Sequence, residues 1–252
     1  MTQHSRTEQL LERLAGGQNV SGKLGPGRVA LAIAPDQAVN PQAQLITTFA
    51  TNLASRLYPV VRQLDVYLPT ETPLTAAVPR WREQTLRDTV ERFFAALKPN
   101  VRCSVRTGMP DKHYDVTMVI GAGLGGTLFV GAIGWIAQIS TESGVAVGGR
   151  PNPVGAYSAA AFGVAEVWKQ LLAPYAELFP GTPIRPLRGS CCFSAYDYRH
   201  DNSGLNPDLP RLIALSRLTA TGLGAGGAAA MYTLASLPEI RGEVTLIEPD
   251  EA

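Results

Sequence analysis

An open α/β sheet, followed by the start of a second unit of the same kind, is the fold class that this sequence predicts. Three observations point to it. Short apolar runs bounded by proline and glycine alternate with amphipathic or alanine-rich runs of helical length. After the polar, turn-rich stretch RHDNSGLNPDLP (199–210), the alternation resumes as strand, glycine turn, helix and strand. With 252 residues, 45% of them hydrophobic and 17% charged, the chain is long enough for one large domain or two smaller ones.

The elements follow in order. Residues 5–15 form a short helix with Leu10, Leu11 and Leu14 on one side, and 16–27 a loop. RVALAIAP (28–35) is a buried strand ended by proline. The next helix has Asn40 as its N-cap, Pro41 at its first position and Pro59 past its end. VVRQLDVYLP (60–69) is a strand, and VPRWREQTLRDTVERFFAALKP (78–99) a helix amphipathic through Trp81, Leu86, Val90, Phe93, Phe94 and Leu97. NVRCSVRTG and YDVTMVIG are strands. TLFVGAIGWIAQIS (127–140) is two short strands or one bent one. Residues 152–174 make an alanine-rich, mostly buried helix capped by Asn152, and GSCCFSAYDY (189–198) a strand. Beyond the turn-rich stretch, LSRLTATG is a strand, AGGAAAMYTLASLP a helix and GEVTLIEPD a strand. The predicted division is an N-terminal helix and linker (1–27), a scaffold domain (28–205) and one βαβ unit (206–252).

Bulk properties narrow the function classes. A net charge of +1 supplies no global field for nucleic acid or acidic membranes. Cys103, Cys191 and Cys192 form no disulfide framework, and no metal-ligand spacing is present, so no metal site is expected. The polar N-terminus lacks the apolar core of a signal peptide, and no stretch approaches 18 uninterrupted apolar residues. The expectation is a cytoplasmic protein that binds neither nucleic acid nor membrane.

Two glycine runs carry the chemistry. Gly222-x-Gly224-x-x-Gly227 sits after a strand and before a helix, the context that a dinucleotide-binding fingerprint requires. The first glycine permits the tight turn, the second close approach of backbone to a phosphate, the third close packing of helix on strand. Amide groups at the helix start then favour an anion. The following strand ends in Glu248-Pro-Asp250, near the roughly 20-residue spacing of that fingerprint's ribose-binding acid. Gly121-x-Gly123-x-x-Gly126 has the same spacing, but β-forming residues follow it, so it is expected to be a turn between strands. His4, His113 and His200 sit in a tail and loops and are expected to be solvated; the three cysteines lie on strands and are expected to be inert.

LTATGLGAGGAAAMYTLASLPEIRGEVTLIEPD (218–250) resembles the start of the adenylation domain in the ThiF-like, ubiquitin-activating-enzyme superfamily. Glu248 stands where that family has an aspartate. GAIGWIAQIS, NPVGAYSAAAFGVAEVWKQLL and FSAYDY followed by NPDLP are similar to bacterial ThiF-like proteins encoded beside ubiquitin-like and conjugating-enzyme partners. The resemblance covers about 115–252 well and 28–110 in outline.

The resemblance implies a Rossmann-like scaffold of the inactive type, followed by the first βαβ unit of an adenylation domain. It implies an activity that uses ATP and Mg2+ to convert a ubiquitin-like protein's C-terminal carboxylate to an acyl adenylate, then to a thioester. Gly222, Gly224, Gly226 and Gly227 would line the ATP phosphates, Glu248 would bind the ribose hydroxyls, and Asp250 would support that edge. The implied setting is an antiphage or other bacterial conjugation system. Its partners would be the modifier, a conjugating-enzyme-like protein, and a second copy or the remaining adenylation domain. The family's lysine, metal-binding aspartate and thioester cysteine follow the acid in sequence, so no catalytic residue is assigned here and the 252 residues alone are expected to be inactive. Two alternatives stay open: part of an NAD-dependent oxidoreductase using the same turn, and a non-enzymatic interaction module.

Overall fold

The computed structural model describes residues 6–79, 83–97, 99–111, 113–201, 203–221, 225–237 and 239–247; for 225–227 it describes the backbone alone. After helix α1 (Arg6–Leu14) come β1 (Arg28–Ile33), α2 (Pro41–Ala54), β2 (Gln63–Tyr67), α3 (Leu86–Leu97), β3 (Arg102–Arg106) and β4 (Val116–Ile120). Next are β5 (Leu128–Ile133), β6 (Ile136–Ser140), α4 (Pro153–Leu172) and β7 (Ser190–Ser194), then β8 (Ile213–Thr221), α5 (Ala225–Ala235) and β9 (Ile240–Ile247). The first seven strands form one sheet in the order β3-β2-β1-β4-β5-β6-β7. Neighbours from β3 to β5 run parallel; β6 pairs antiparallel with β5 and with β7. This is the open α/β sheet that the alternating pattern predicts. The stretch 127–140 resolves as two strands, joined at Gly134, whose φ of 57° suits the tight turn.

Side-chain alternation explains why the sheet has one thick face. Val29, Leu31, Leu64, Val66, Met118 and Val130 all point to one side and are fully buried there with residues of α2, α3 and α4. The caps predicted from sequence are in place. Asn40 Oδ1 accepts the Gln42 amide at 2.9 Å, and Asn152 Oδ1 accepts the amides of Val154 at 3.0 Å and Gly155 at 3.4 Å.

Helix α4 is seated unusually close to the sheet by its glycines. A Cβ at Gly163 would lie 2.7 Å from Val130 Cγ2 and 3.0 Å from Met118 Sδ. One at Gly155 would overlap the Gly134 carbonyl oxygen. Buried Gln42 of α2 completes the seat: its Oε1 accepts the Asn152 amide at 2.6 Å, and its Nε2 donates to the Gly134 carbonyl at 3.3 Å. Two residues along the sequence, Gln44 donates to the Ala38 and Pro73 carbonyls and accepts the amides of Thr75 and Ala76, tying the loop after β2 to α2.

Several expected boundaries move. The helix expected over 78–99 begins at Leu86, because Thr85 caps it: its Oγ1 accepts the Asp88 amide at 3.1 Å and donates to Asp88 Oδ2 at 2.7 Å. Upstream, Pro73 and Thr85 form an antiparallel bridge, and Trp81 lies outside the described residues. α2 stops at Ala54 rather than continuing to Pro59. The expected strands 60–69 and 189–198 shorten to β2 and β7, because 57–61 turns back on itself and Ser194 begins a turn closed by the Tyr198 amide.

Among the described residues, the opposite sheet face carries no helix. Ala30 and Ala32 are covered there by Tyr67, Tyr114 and Leu124. Among them Asp65, 2% exposed, accepts hydrogen bonds from Ser104 Oγ at 2.5 Å, Tyr114 Oη at 2.6 Å and Gln63 Nε2 at 2.7 Å, with Arg106 Nε at 3.3 Å. Burial pushes its pKa up. The bonds from Ser104, Tyr114 and Gln63 and the Arg106 charge outweigh that and leave it below the ordinary carboxylate value.

Two stability outcomes follow from this packing. Gly155→Ala is expected to destabilise the protein by about 1–3 kcal/mol, read as a lowered urea midpoint, because helix and hairpin must separate to admit the methyl group. Asp65→Asn is expected to lower stability by about 2 kcal/mol at neutral pH. A carboxylate whose folded pKa is depressed stabilises fully above its unfolded value and loses that contribution as pH falls through the folded one. The gap between wild type and D65N is therefore expected to hold from pH 7 to about 5 and to shrink below about pH 4.

Candidate functional site

In the second unit, β8 precedes the glycine turn and α5 follows it. β8 and β9 pair in parallel, with α5 as the connection, and form a separate two-stranded sheet. Their register ends with Thr221 opposite Ile247. The chain therefore leaves both strands at the same end of the sheet, about 4.8 Å apart. The glycine turn starts immediately after Thr221 and the acidic tripeptide immediately after Ile247. Gly222, Gly224, Glu248 and Asp250 themselves lie outside the described residues. Gly226 and Gly227 form part of the first turn of α5, where backbone amides lack intrahelical acceptors.

α5 is held by one end and open at the other. Residues 228–230 are exposed, whereas Ser236 just past the helix is 3% exposed. Ser236 Oγ donates to the Tyr232 carbonyl at 2.8 Å and lies 2.5 Å from Tyr157 Oη of α4, which therefore supplies the second proton. The rings of Phe49, Tyr157 and Tyr232 cluster with centroids 4.4–6.1 Å apart, linking α2, α4 and α5. Burial pushes the Tyr232 phenol up to about 12, and that of Tyr157 higher still, so both remain protonated at neutral pH. Sequence reasoning passed over Tyr157 and Ser236; the one legible hint was a tyrosine set among alanines in a buried helix.

In the first unit the corresponding crevice is filled. In open α/β sheets the ligand crevice lies at the carboxyl ends of the strands where the order reverses, here between β1 and β4. The loop after β1 is PDQAVN, with no glycine. Gly121 follows β4 with a φ of 97°, and a Cβ there would lie 2.9 Å from Gln37 Cγ and 3.2 Å from Ala34 Cβ. The backbone of 144–145 closes over the same spot: a Cβ at Gly144 would meet the Ala122 backbone at 2.6 Å, and the Val145 amide donates to the Gly121 carbonyl at 3.3 Å. Gly123 has a φ of 85°, and a Cβ at Gly126 would lie 2.7 Å from Val119 Cγ2. No helix follows; the run leads into β5, as expected from its sequence context.

The stretch 199–210, expected to be a boundary loop, is fastened at its far end. Trp135 donates its amide to Asn206 Oδ1 at 2.8 Å and its indole N–H to the Pro207 carbonyl at 2.9 Å. Arg150 pairs with Asp208 at 2.9 Å, and Leu209 is buried. The path into β8 is thus set by the β5–β6 turn. The cysteines are free and half-buried. Burial, with the Asp65 charge, pushes the Cys103 thiol up to about 12, and burial raises Cys192 as well, which disfavours a thiolate at either. His200 stacks on Phe193 with ring centroids 5.2 Å apart. Among the described residues, no group of three or more histidine, cysteine or acidic side chains could hold a metal ion, and no helix is long and apolar enough to cross a membrane.

Comparison with known proteins settles the family. The model of the BilD N-terminal domain matches residues 28–176, from the first residue of β1 past the end of α4. The chain belongs to the BilD N-terminal domain family. A curated relative, the uncharacterized protein y4jF of Sinorhizobium fredii (strain NBRC 101917 / NGR234), is 29% identical over 229 residues; the match covers 87% of this chain and 39% of that protein. The chain thus spans well under half the length of that relative. Among solved structures, E. coli MccB superposes with a TM-score of 0.54 at 10% identity, covering 79% of this chain and 69% of that one. MccB solved with ATP gives 0.52 at 9% identity, over 81% and 73%. These likenesses show a shared fold, and shares of that size cannot be reached by 206–252 alone, so they include the first unit.

The α4–α5 latch is testable by a double-mutant cycle on Tyr157→Phe and Ser236→Ala. A coupling energy of about 1 kcal/mol is expected in denaturant unfolding. Additive effects would show that the two hydroxyls do not bond in solution.

Proposed function

We propose that this chain is the front part of an ATP-dependent adenylating enzyme that activates the C-terminal carboxylate of a ubiquitin-like protein. The observation that carries the reading is the β8–β9 register. It sets Thr221, the residue before the glycine turn in sequence, opposite Ile247, the residue before Glu248-Pro-Asp250, at one end of a parallel pair. That is where a nucleotide's phosphates and ribose need a donor cluster and an acid. The open N-terminal half of α5 suits such a ligand. The fold shared with MccB, which has been solved with ATP, and membership of the BilD N-terminal domain family support the same reading.

On this reading the chain's own residues bind and orient. The amides of the turn at Gly222 and Gly224 and of the first turn of α5 at Gly226 and Gly227 hold phosphate oxygens. Glu248 accepts hydrogen bonds from the ribose hydroxyls, and Asp250 reinforces that edge. ATP supplies the α-phosphate to which the carboxylate is joined, with pyrophosphate leaving and Mg2+ neutralising charge. The first unit, with its crevice closed by Gln37 and 144–145, serves as a scaffold. Through Tyr157 it sets where α5 stands. Thioester formation, a conjugating-enzyme-like partner, a homodimer or docking of the rest of the adenylation domain, and a cytoplasmic antiphage role belong to the same proposal.

Nucleotide titration tests it. ATP at 100 times its dissociation constant should raise stability by about 2.7 kcal/mol, visible as a higher melting temperature. Gly224→Val is expected to abolish that rise and to leave the melting temperature without ATP unchanged. In the longer protein, ATP–pyrophosphate exchange dependent on a ubiquitin-like protein should be lost in the same variant. A response to NAD with none to ATP would overturn the reading in favour of an oxidoreductase, and a response to neither in favour of an interaction module.

A further inference from the structure

At the carboxyl ends of β2 and β3, the surface opens into a cavity of about 560 Å³ lined by Tyr67, Thr70, Arg87, Arg106, Thr107 and Met109. Its two cations come from different elements. Arg106 is the last residue of β3, and Arg87 stands in the first turn of α3. What lies behind Arg106 is unusual for an edge strand. Edge strands often carry an arginine simply to discourage pairing, and such a side chain is solvated and needs no support. Here a carboxylate that is 2% exposed stands beneath it, and Arg106 Nε lies 3.3 Å from Asp65 Oδ2 and 3.3 Å from Ser104 Oγ. Asp65 is itself held by Ser104, Tyr114 and Gln63, and Tyr114 is held by Tyr67 Oη at 2.9 Å.

Burying a charge is costly unless it is paired and hydrogen-bonded, so this network is an expensive way to decorate a surface. Its effect is geometric. Asp65 and Ser104 both engage Nε, which restrains the guanidinium from one side. Arg87 is oriented in turn by Glu91 one helical turn on, through Nη1 at 3.2 Å. Two guanidinium groups on separate elements then border one cavity, with the hydroxyls of Thr70 and Thr107 beside them and Tyr67 and Met109 as apolar walls. Planar forks with fixed orientation match an oxyanion better than lysines would.

We propose that the Arg87–Arg106 cavity is a binding site for a small organic anion, a phosphate monoester or a carboxylate. Asp65 is the positioning residue that aims Arg106. The site lies in the first unit and does not rest on the adenylation proposal.

Binding is measured by titrating the full chain, at constant ionic strength, with inorganic phosphate in one arm and succinate in the other. Calorimetry and the side-chain Nε–H signals of arginine report the result. Saturable binding of at least one anion is expected, with the Arg106 signal moving, and the arm that saturates identifies the chemistry. Arg106→Ala and Arg87→Ala should each weaken it at least about tenfold. Arg106→Lys should weaken it too, because it keeps the charge and loses the fork, and this variant guards against misfolding as the cause. Arg102→Ala, on the same strand but outside the cavity, should leave affinity unchanged. Asp65→Asn should weaken binding while its Arg106 Nε–H signal broadens or shifts in the free protein. No saturation with either anion would overturn the proposal, as would equal losses in R102A and R106A.

Discussion

The glycine-lined contact between α4 and the sheet is what the remaining architecture depends on. Where Gly155 and Gly163 face the β5–β6 hairpin and β4–β5, no side chain fits between helix and strand. That closeness lets the Asn152 cap reach Gln42 of α2 and lets Gln42 reach the Gly134 carbonyl, so helix pair and hairpin lock through one buried amide. Two further features inherit their place from it. The β5–β6 turn presents Trp135 to the 206–209 segment, and α4 presents Tyr157 to the end of α5. A small displacement of α4 would therefore move the second unit, although the two units form separate sheets.

The two units have opposite treatments of the same location. In the first, the carboxyl-end crevice between β1 and β4 is filled by Gln37, Ala34 and the backbone of 144–145, and its glycines serve close packing and a turn. In the second, the helix after the strand is anchored at its C-terminal end and exposed at 228–230. Both arrangements occur within one fold class, strand, connection and parallel strand.

The sheet face without helices shows how a fold can tolerate a buried charge. Alanines at 30 and 32 lower the thickness of that face, and Tyr67 and Tyr114 cover them as a lid whose hydroxyls also serve Asp65. The carboxylate stays ionised because donors and a cation surround it, and its field in turn raises the pKa of Arg106. One cluster thus covers a thin part of the core and orients a surface cation.

By itself the sequence determined the alternating order of strands and helices, the Asn40 and Asn152 caps, and the contrast between the two glycine runs. These are local: side-chain periodicity, a capping oxygen two or three residues from its amide, and β-formers or alanines after a glycine turn all act within a few residues. Only the tertiary structure decided the rest. α3 begins at Leu86, with Thr85 as its cap, rather than at Val78, and Thr85 is also bridged to Pro73. Thr221 stands beside Ile247, Tyr157 meets Ser236 and Asp65 meets Tyr114, across separations of 26, 79 and 49 residues. Such pairs leave no periodic trace, because what brings them together is the closure of the sheet and the close seat of α4, not any property of the residues between them.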